Sequence, residues 1–131
     1  MASIREVYQT ADFKVEKHVP VIEAADTVTK GQEVAVSVSV GKQIPHPNTA
    51  EHHIAWVELY FHPKAEKFPY QVARVQFAAH GASAQGPNTS TVFTQPSITC
   101  IFKTEKTGTL YATSYCNIHG LWESAKELTV G

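Results

Sequence analysis

The sequence predicts an all-β protein built as an antiparallel β-sandwich. Residues 33–40 read Glu-Val-Ala-Val-Ser-Val-Ser-Val, so a valine occupies every second position and smaller residues lie between. This period of two is typical of a half-buried strand. Glycine and proline turn signals separate several similar short segments, and no segment of 12 residues has convincing helical periodicity. Many short strands with regular turns favour a sandwich.

The strands follow from β-branched and aromatic residues bounded by turn signals such as Gly41, His62-Pro63, Gly86-Pro87-Asn88 and Thr107-Gly108. Two shorter segments, 19–23 and 91–94, are candidates for further strands, so about seven strands are expected in total. The six main predicted strands are 33–40, 54–61, 70–79, 97–103, 109–115 and 126–130.

Length and charge limit the class of protein. A chain of 131 residues is the length of one domain, so we expect a single domain over residues 1–131. The net charge of −1 argues against a nucleic-acid-binding protein, and no apolar run is long enough to cross a membrane. Because the first residues lack the apolar core of a signal peptide, we expect a cytoplasmic location and two reduced cysteines.

The two cysteines are predicted to differ. Ile98, Cys100 and Phe102 alternate on one face of a predicted strand, which indicates a core position for Cys100. Cys116 follows a strand and opens a turn that contains His119 and a glycine. Three interpretations of Cys116 are open at this point: a buried inert thiol, a nucleophile with a histidine base, and a metal ligand.

The histidines favour the metal. Seven are present, and His46 lies between two prolines that stiffen its loop, which positions ligands at low cost. His52 and His53 are adjacent, so one of them at most is expected to face a given site, and the pattern does not choose between them. We expect His62 to be solvated in a turn and His80 to lie at the surface or behind the ligands.

Imidazole with thiolate suits iron and copper, whereas structural zinc usually takes more than one cysteine. A cupredoxin-like electron carrier is the main alternative, although copper sites use two histidines and often a methionine, and Met1 is the only methionine. A cysteine nucleophile leaves the histidine-rich loop unexplained. A β-sandwich binding module with incidental histidines is a further alternative.

Three segments together resemble the iron-binding segments of superoxide reductases, in the same order and with similar spacing. They are Glu-Lys-His-Val-Pro at 16–20, Pro-His-Pro-Asn-Thr with Glu-His-His-Ile over 45–54, and Tyr-Cys-Asn-Ile-His-Gly-Leu-Trp at 115–122. The chain is similar to the short form, neelaredoxin, which lacks the N-terminal rubredoxin-like domain of desulfoferrodoxin. The resemblance implies an immunoglobulin-like sandwich of about seven strands.

The resemblance also implies a ligand set and a reaction. Iron would be held by four equatorial imidazoles and by the axial thiolate of Cys116, with the sixth position open to superoxide. It is the resemblance that selects His52 over His53. Superoxide would be reduced by one electron to hydrogen peroxide, and a rubredoxin-like donor would reduce the iron again. The implied imidazole ligands are His18, His46, His52 and His119.

The resemblance gives roles to two charged residues. Lys17 would attract anionic superoxide and supply or orient a proton source, and Glu16 would occupy the sixth site of the ferric form. The backbone N–H groups of Asn117 and Ile118 are hypothesised to donate hydrogen bonds to the Cys116 sulfur and so tune its potential. By the same analogy we expect a homotetramer.

Overall fold

The computed structural model describes residues 2–131, and in that range the chain forms eight strands, one short 3-10 helix at Ile4–Glu6 and no α-helix. Met1 lies outside the described residues. The strands are β1 (Pro20–Glu23), β2 (Thr27–Val28), β3 (Val34–Val40), β4 (Ile54–Pro63), β5 (Tyr70–Gln76), β6 (Ser97–Phe102), β7 (Gly108–Cys116) and β8 (Gly120–Val130). Between residues 2 and 131, no helix combines the length and the apolar character needed to cross a membrane.

The strands form two sheets that enclose one core. The smaller sheet has the order β1-β3-β6 and the larger one β2-β8-β7-β4-β5, with every pairing antiparallel except β2 with β8. The four alternating valines of β3 are all buried against inward-facing side chains of β4 and β7, including Leu59 and Leu110. The predicted all-β sandwich is therefore confirmed, with eight strands rather than about seven.

Two strand predictions were wrong in detail. Residues 91–94 do not form a strand, because Phe93 makes only an isolated bridge to His80 and has no continuous ladder to extend. The two-residue strand β2, which pairs with the end of β8, was not predicted. Strand β8 begins at Gly120 rather than at residue 126. The prediction missed its first residues because they are all partly buried and show no alternation.

The burial of the two cysteines differs from the prediction. Cys116 is fully buried in the core, whereas Cys100 is only partly buried beside it. The face of β6 that carries Ile98 was correctly predicted to turn toward the core. However, β6 is an edge strand of the three-stranded sheet, and part of that face is exposed to solvent. Both cysteines are free thiols.

Strand register places the ends of several elements at one pole of the sandwich. Pro20 pairs with Val40 in one sheet, and Cys116 pairs with both Ile54 and Gly120 in the other. A register shift between Ile54 and Trp56 bends β4 at this pole, as bulges often do beside functional sites. The segments before β1, between β3 and β4, and between β7 and β8 therefore meet there.

Candidate metal centre

Four imidazoles from these three segments surround one point. In order around this point, the distances between neighbouring imidazole centroids are 4.8 Å for His18–His46, 4.8 Å for His46–His52, 5.0 Å for His52–His119 and 4.5 Å for His119–His18. The one measured diagonal, His18–His52, is longer at 6.4 Å. Each imidazole thus has two imidazole neighbours, which is the arrangement expected of side chains that share one small central ligand.

The Cys116 thiol belongs to the same cluster. Its Sγ lies 3.8 Å from Nδ1 of His119 and accepts a hydrogen bond from the backbone N–H of His119 at 3.4 Å. The hypothesis that the Asn117 amide donates to this sulfur was wrong, because that N–H donates to the carbonyl of His53 at 3.2 Å. The turn of β7–β8 therefore presents the sulfur and the His119 ring to one site.

The donor atoms fit a single metal ion. One ligand atom each from His18, His52, Cys116 and His119 lie within 4.8 Å of one another, close to twice an ordinary metal–ligand bond of about 2.0–2.3 Å. His46 borders this group, and the Nε2 atoms of His46 and His52 are both buried with no hydrogen-bond partner. Because a buried polar nitrogen without a partner is unfavourable, these two atoms indicate a binding site for a ligand such as a metal ion.

Hydrogen bonds on the far side of two rings set their tautomers. The Nδ1–H of His46 donates to the carbonyl of Pro47 at 2.6 Å, and the Nδ1–H of His18 donates to the Glu16 carboxylate at 2.6 Å. In each ring, Nε2 is then the nitrogen that keeps a lone pair and can bind a metal, and in His18 this atom lies 3.1 Å from Nδ1 of His119. Carbonyl and carboxylate partners of this kind commonly orient metal-binding histidines.

The electrostatics keep the rings neutral and able to bind metal. The pKa of His46 is lowered to about 4, chiefly by burial and in addition by the nearby His18 and His52, while the hydrogen bond to Pro47 acts in the opposite direction. Burial also lowers the pKa of His52, with the neighbouring His119 and His18 adding to the effect. Neutral imidazole is the form that binds metal ions, so neither ring has to lose a proton near pH 7.

A glycine allows the loop of His46 to approach the end of β3. Gly41 has φ +86°, and a Cβ placed on it would lie 2.6 Å from the backbone nitrogen of His46 and 3.2 Å from its Cβ. Only glycine combines this positive φ with such a close contact. In the sequence Gly41 indicates only a turn, although its position shortly before the stiff Pro-His-Pro segment is a sign of this role.

Trp122 is a further neighbour that the sequence analysis did not assign to the site. Its ring stacks on His18 at 5.1 Å with an interplanar angle of 17°, and its Nε1–H donates to the carbonyl of His119 at 3.1 Å. The backbone of His18 is held as well, because the Ser114 hydroxyl donates to its carbonyl at 3.2 Å. Trp122 thus contacts two of the four clustered histidines.

Glu16 and Lys17 both lie beside the cluster, as their sequence position predicts. The pKa of the Glu16 carboxyl is below its ordinary value: burial raises it, but hydrogen bonds from the side chain and backbone of His18 outweigh that effect. The charge of Lys17 is near enough to contribute to the lowered pKa values of His46 and His52. A shallow open depression at this position is lined by Val15, Glu16, Lys17, His18 and Ile44.

The remaining histidines lie outside the cluster, and the prediction for His62 was wrong. His53 stacks on His80. Of the two positions predicted for His80, the structure shows the one behind the clustered histidines, because its ring is buried under their loop. His62 lies within strand β4 rather than in a turn, and its Nε2–H donates to the carbonyl of Glu66 at 2.8 Å, so it is only partly solvated.

Comparison with known proteins agrees with this geometry. The desulfoferrodoxin family profile matches residues 10–125. The superoxide reductase of Pyrococcus furiosus is 59% identical over 121 residues, 92% of this chain and 95% of that protein. The neelaredoxin of Megalodesulfovibrio gigas is 50% identical over 125 residues, 95% of this chain and 96% of that protein.

A solved structure shares the fold as well as the sequence. The superoxide reductase (neelaredoxin) of Archaeoglobus fulgidus, solved in its reduced form, superposes with a TM-score of 0.88 at 61% identity. The match covers 94% of this chain and 98% of that one. With a family profile over most of the sequence and relatives matched along nearly their whole length, the chain belongs to the desulfoferrodoxin family.

Proposed function

We propose that this protein is a superoxide reductase whose reaction takes place at a single non-haem iron. The observation that carries the proposal is the cluster of four imidazoles and one buried thiol, in a chain whose relatives at 50–61% identity are named superoxide reductases and neelaredoxin. The overall reaction takes up one electron and two protons for each superoxide and releases hydrogen peroxide. Bound ferrous iron would supply that electron and become ferric.

The proposed iron ligands are the imidazoles of His18, His46, His52 and His119 and the thiolate of Cys116. Imidazole nitrogens with one thiolate suit iron, and thiolate ligation favours electron donation to an oxygen substrate, as it does in haem enzymes. The full burial of Cys116 keeps its sulfur away from solvent oxidants, and the backbone N–H of His119 hydrogen-bonds the same sulfur. Such hydrogen bonds tune the potential of metal sites.

Lys17 and Glu16 have separate proposed roles. Lys17 lies at the depression beside His18, where its positive charge attracts an anionic substrate and orients a proton source. Glu16 fixes the ring of His18 through its carboxylate in this structure. We also propose that the Glu16 carboxylate binds ferric iron, which would require it to leave the Nδ1–H of His18.

The electron donor, the oligomeric state and the location are proposed by analogy with the family. Because a bound iron that gives up this electron would have to be reduced again, an external one-electron donor would be required, and we propose a rubredoxin-like protein by family analogy. A homotetramer and a cytoplasmic location are proposed on the same analogy. We further propose that residues 1–131 form a single domain, which the shared core of the two sheets supports.

Metal analysis combined with pulse radiolysis tests the function. We expect about one iron per chain and rapid superoxide consumption without stoichiometric oxygen release. Copper as the native metal would instead favour the cupredoxin-like electron carrier, and stoichiometric oxygen would indicate dismutation. As a second arm, Cys116→Ser should abolish the visible thiolate-to-iron absorption, and Cys100→Ser, which removes a thiol outside the cluster, should retain it.

A further inference from the structure

We propose that His80 is a positioning residue that holds the metal-binding loop in place. The name "ligand loop" is used here for residues 46–53, which carry His46 and His52 between β3 and β4. His80 lies far along the chain, after β5, and is not one of the clustered histidines. The inference rests on the proposed function, because it concerns how this chain holds the same iron site.

His80 is itself firmly anchored. Only 9% of the residue is exposed, and its Nε2–H donates to the carbonyl of Phe77 at 2.7 Å. Its backbone forms a bridge with Phe93. The Phe93 ring covers Gly81, where a Cβ would lie 2.4 Å from it, and the backbone N–H of Gly81 donates to the carbonyl of Val92 at 3.1 Å. His80 can therefore act as a fixed support for other segments.

The first half of the ligand loop contacts this support through Asn48. The Oδ1 atom of Asn48 lies 3.3 Å from Nδ1 of His80. The orientation of that amide is set, because its Nδ2 donates to the carbonyl of Thr94 at 3.1 Å. Because the single N–H of the neutral His80 ring is used by Phe77, the Oδ1 atom of Asn48 packs against Nδ1 without a hydrogen bond. Asn48 is two residues from His46, so its packing on His80 and its bond to Thr94 together limit the movement of the loop beside that proposed ligand.

The other end of the ligand loop contacts His80 through His53. The two imidazole rings stack face to face with centroids 3.5 Å apart and an interplanar angle of 6°. The Nδ1–H of His53 donates to the carbonyl of Thr49 at 2.9 Å, which holds its ring within the loop. His53 adjoins His52. One buried side chain thus contacts the ligand loop near both of its proposed ligands.

The same network reaches the thiol. The backbone N–H of His53 donates to Oδ1 of Asn117 at 2.9 Å, and Nδ2 of Asn117 donates to the carbonyl of Glu51 at 2.8 Å. Asn117 directly follows Cys116. The position of His53, set on one side by His80, is therefore tied on the other side to the turn that presents the sulfur.

The need for such a support follows from the site itself. The Nε2 atoms of His46 and His52 are buried and make no hydrogen bond, so nothing on the metal side of these rings fixes their direction. Their placement has to come from the loop backbone. Metal sites depend on supporting contacts of this kind, whose removal commonly weakens metal affinity by about 10–100-fold.

The test replaces His80 by leucine, which fills the core without a hydrogen bond or a stacked ring. Fe²⁺ affinity is measured by competition with a chelator, and the ferric protein is examined for its thiolate absorption band and its midpoint potential. We expect His80→Leu to weaken Fe²⁺ binding by about tenfold and to shift both the band and the potential. The matched control is His62→Leu, which removes a half-buried histidine bound to the carbonyl of Glu66 within the same fold.

The outcomes separate this inference from the proposed function. A wild-type protein that binds no Fe²⁺ and consumes no superoxide would overturn the proposed function and this inference with it. If the wild type binds Fe²⁺ and His80→Leu has the same affinity, band and potential, the function stands and the positioning role of His80 is wrong. If His80→Leu fails to fold, His53→Ala is used instead. It removes the other ring of the stacked pair, and His53 is only half-buried. The same tenfold loss is then expected, and unchanged binding would overturn the inference.

Discussion

His18 shows how several weak contacts fix one side chain at this site. Glu16 accepts the hydrogen of one ring nitrogen, Trp122 stacks on the ring face, and Ser114 hydrogen-bonds the backbone carbonyl. Each contact is worth only about 1 kcal/mol, but together they leave the ring few other orientations. The sequence predicted His18 and Glu16 as neighbours because they are close in the chain. The stack with Trp122 joins residues about 100 positions apart and could not be predicted.

Residue-level electrostatics lead to a prediction for Lys17. Replacing Lys17 by alanine removes a positive charge beside the depression next to His18, so superoxide should react several-fold more slowly at low ionic strength. The rate should also depend less on salt. The measurement is the second-order rate constant by pulse radiolysis over a series of salt concentrations.

The control for Lys17 is Lys103→Ala, which changes the net charge equally. Lys103 follows Phe102, which pairs with the start of β3, whereas the site lies beyond the end of that strand. Its loss should leave the rate nearly unchanged. An equal salt dependence in wild type and Lys17→Ala would refute electrostatic attraction by Lys17.

The ligand loop is the element whose conformation decides whether the site forms. Its stiffness was predictable from the prolines around His46, but its close approach to the end of β3 depends on the missing side chain of Gly41. The choice of His52 over His53 was also undetermined by local pattern. In the structure His53 stacks on His80, and that contact leaves His52 to face the cluster.

The close contact between Gly41 and the ligand loop predicts a specific effect of Gly41→Ala. A Cβ at this position would lie 2.6 Å from the backbone nitrogen of His46, so the loop must move away. We expect Fe²⁺ affinity to fall by about tenfold or more, as measured by chelator competition. Gly31→Ala provides the control, since Gly31 has φ +76° but nothing within 4 Å of the added atom.

Both glycine variants carry similar backbone strain, on the order of 1–2 kcal/mol. Gly41→Ala adds the clash with His46, so its unfolding midpoint should fall at least as far as that of Gly31→Ala. Only Gly41→Ala should also lose metal affinity. Equal Fe²⁺ affinity in the two variants would show that the contact between Gly41 and His46 does not shape the site.

For the molecule as a whole, the two sheets bring together segments that are distant in sequence. Strand register aligns Pro20 with Val40 and Ile54 with Cys116, so the three histidine-bearing segments meet at one pole. The alternating valines of β3 were enough to predict which face is buried, because that pattern is local. The pairing of β7 between β4 and β8 is a long-range outcome that the pattern alone did not specify.

The partly buried imidazole of His46 predicts how the stability of the metal-free protein depends on pH. The pKa of His46 is about 4 in the folded chain, and its ordinary value is 6.5, so the unfolded chain binds the additional proton between these values. The free energy of unfolding should therefore be fully retained above about pH 6.5 and fall as the pH decreases toward about 4. The loss from His46 is at most about 3 kcal/mol.

Denaturant unfolding of the chelator-treated protein at several pH values measures this effect. His46→Gln cannot take up the proton, so its stability should decline less steeply between about pH 6.5 and 4. Identical slopes for the two proteins would mean that His46 does not stay neutral through burial in the folded metal-free chain.

The sequence by itself determined the all-β class, the buried face of β3 and the three segments that supply imidazole and thiol groups. These properties depend on residue type and short-range periodicity, which are local. Only the tertiary structure decided that Cys116 rather than Cys100 is the fully buried thiol, that His53 turns away from His52, and that His80 lies beneath the ligand loop. Burial and ring orientation depend on contacts between residues far apart in the chain, and strand order and register, rather than local composition, fix those contacts.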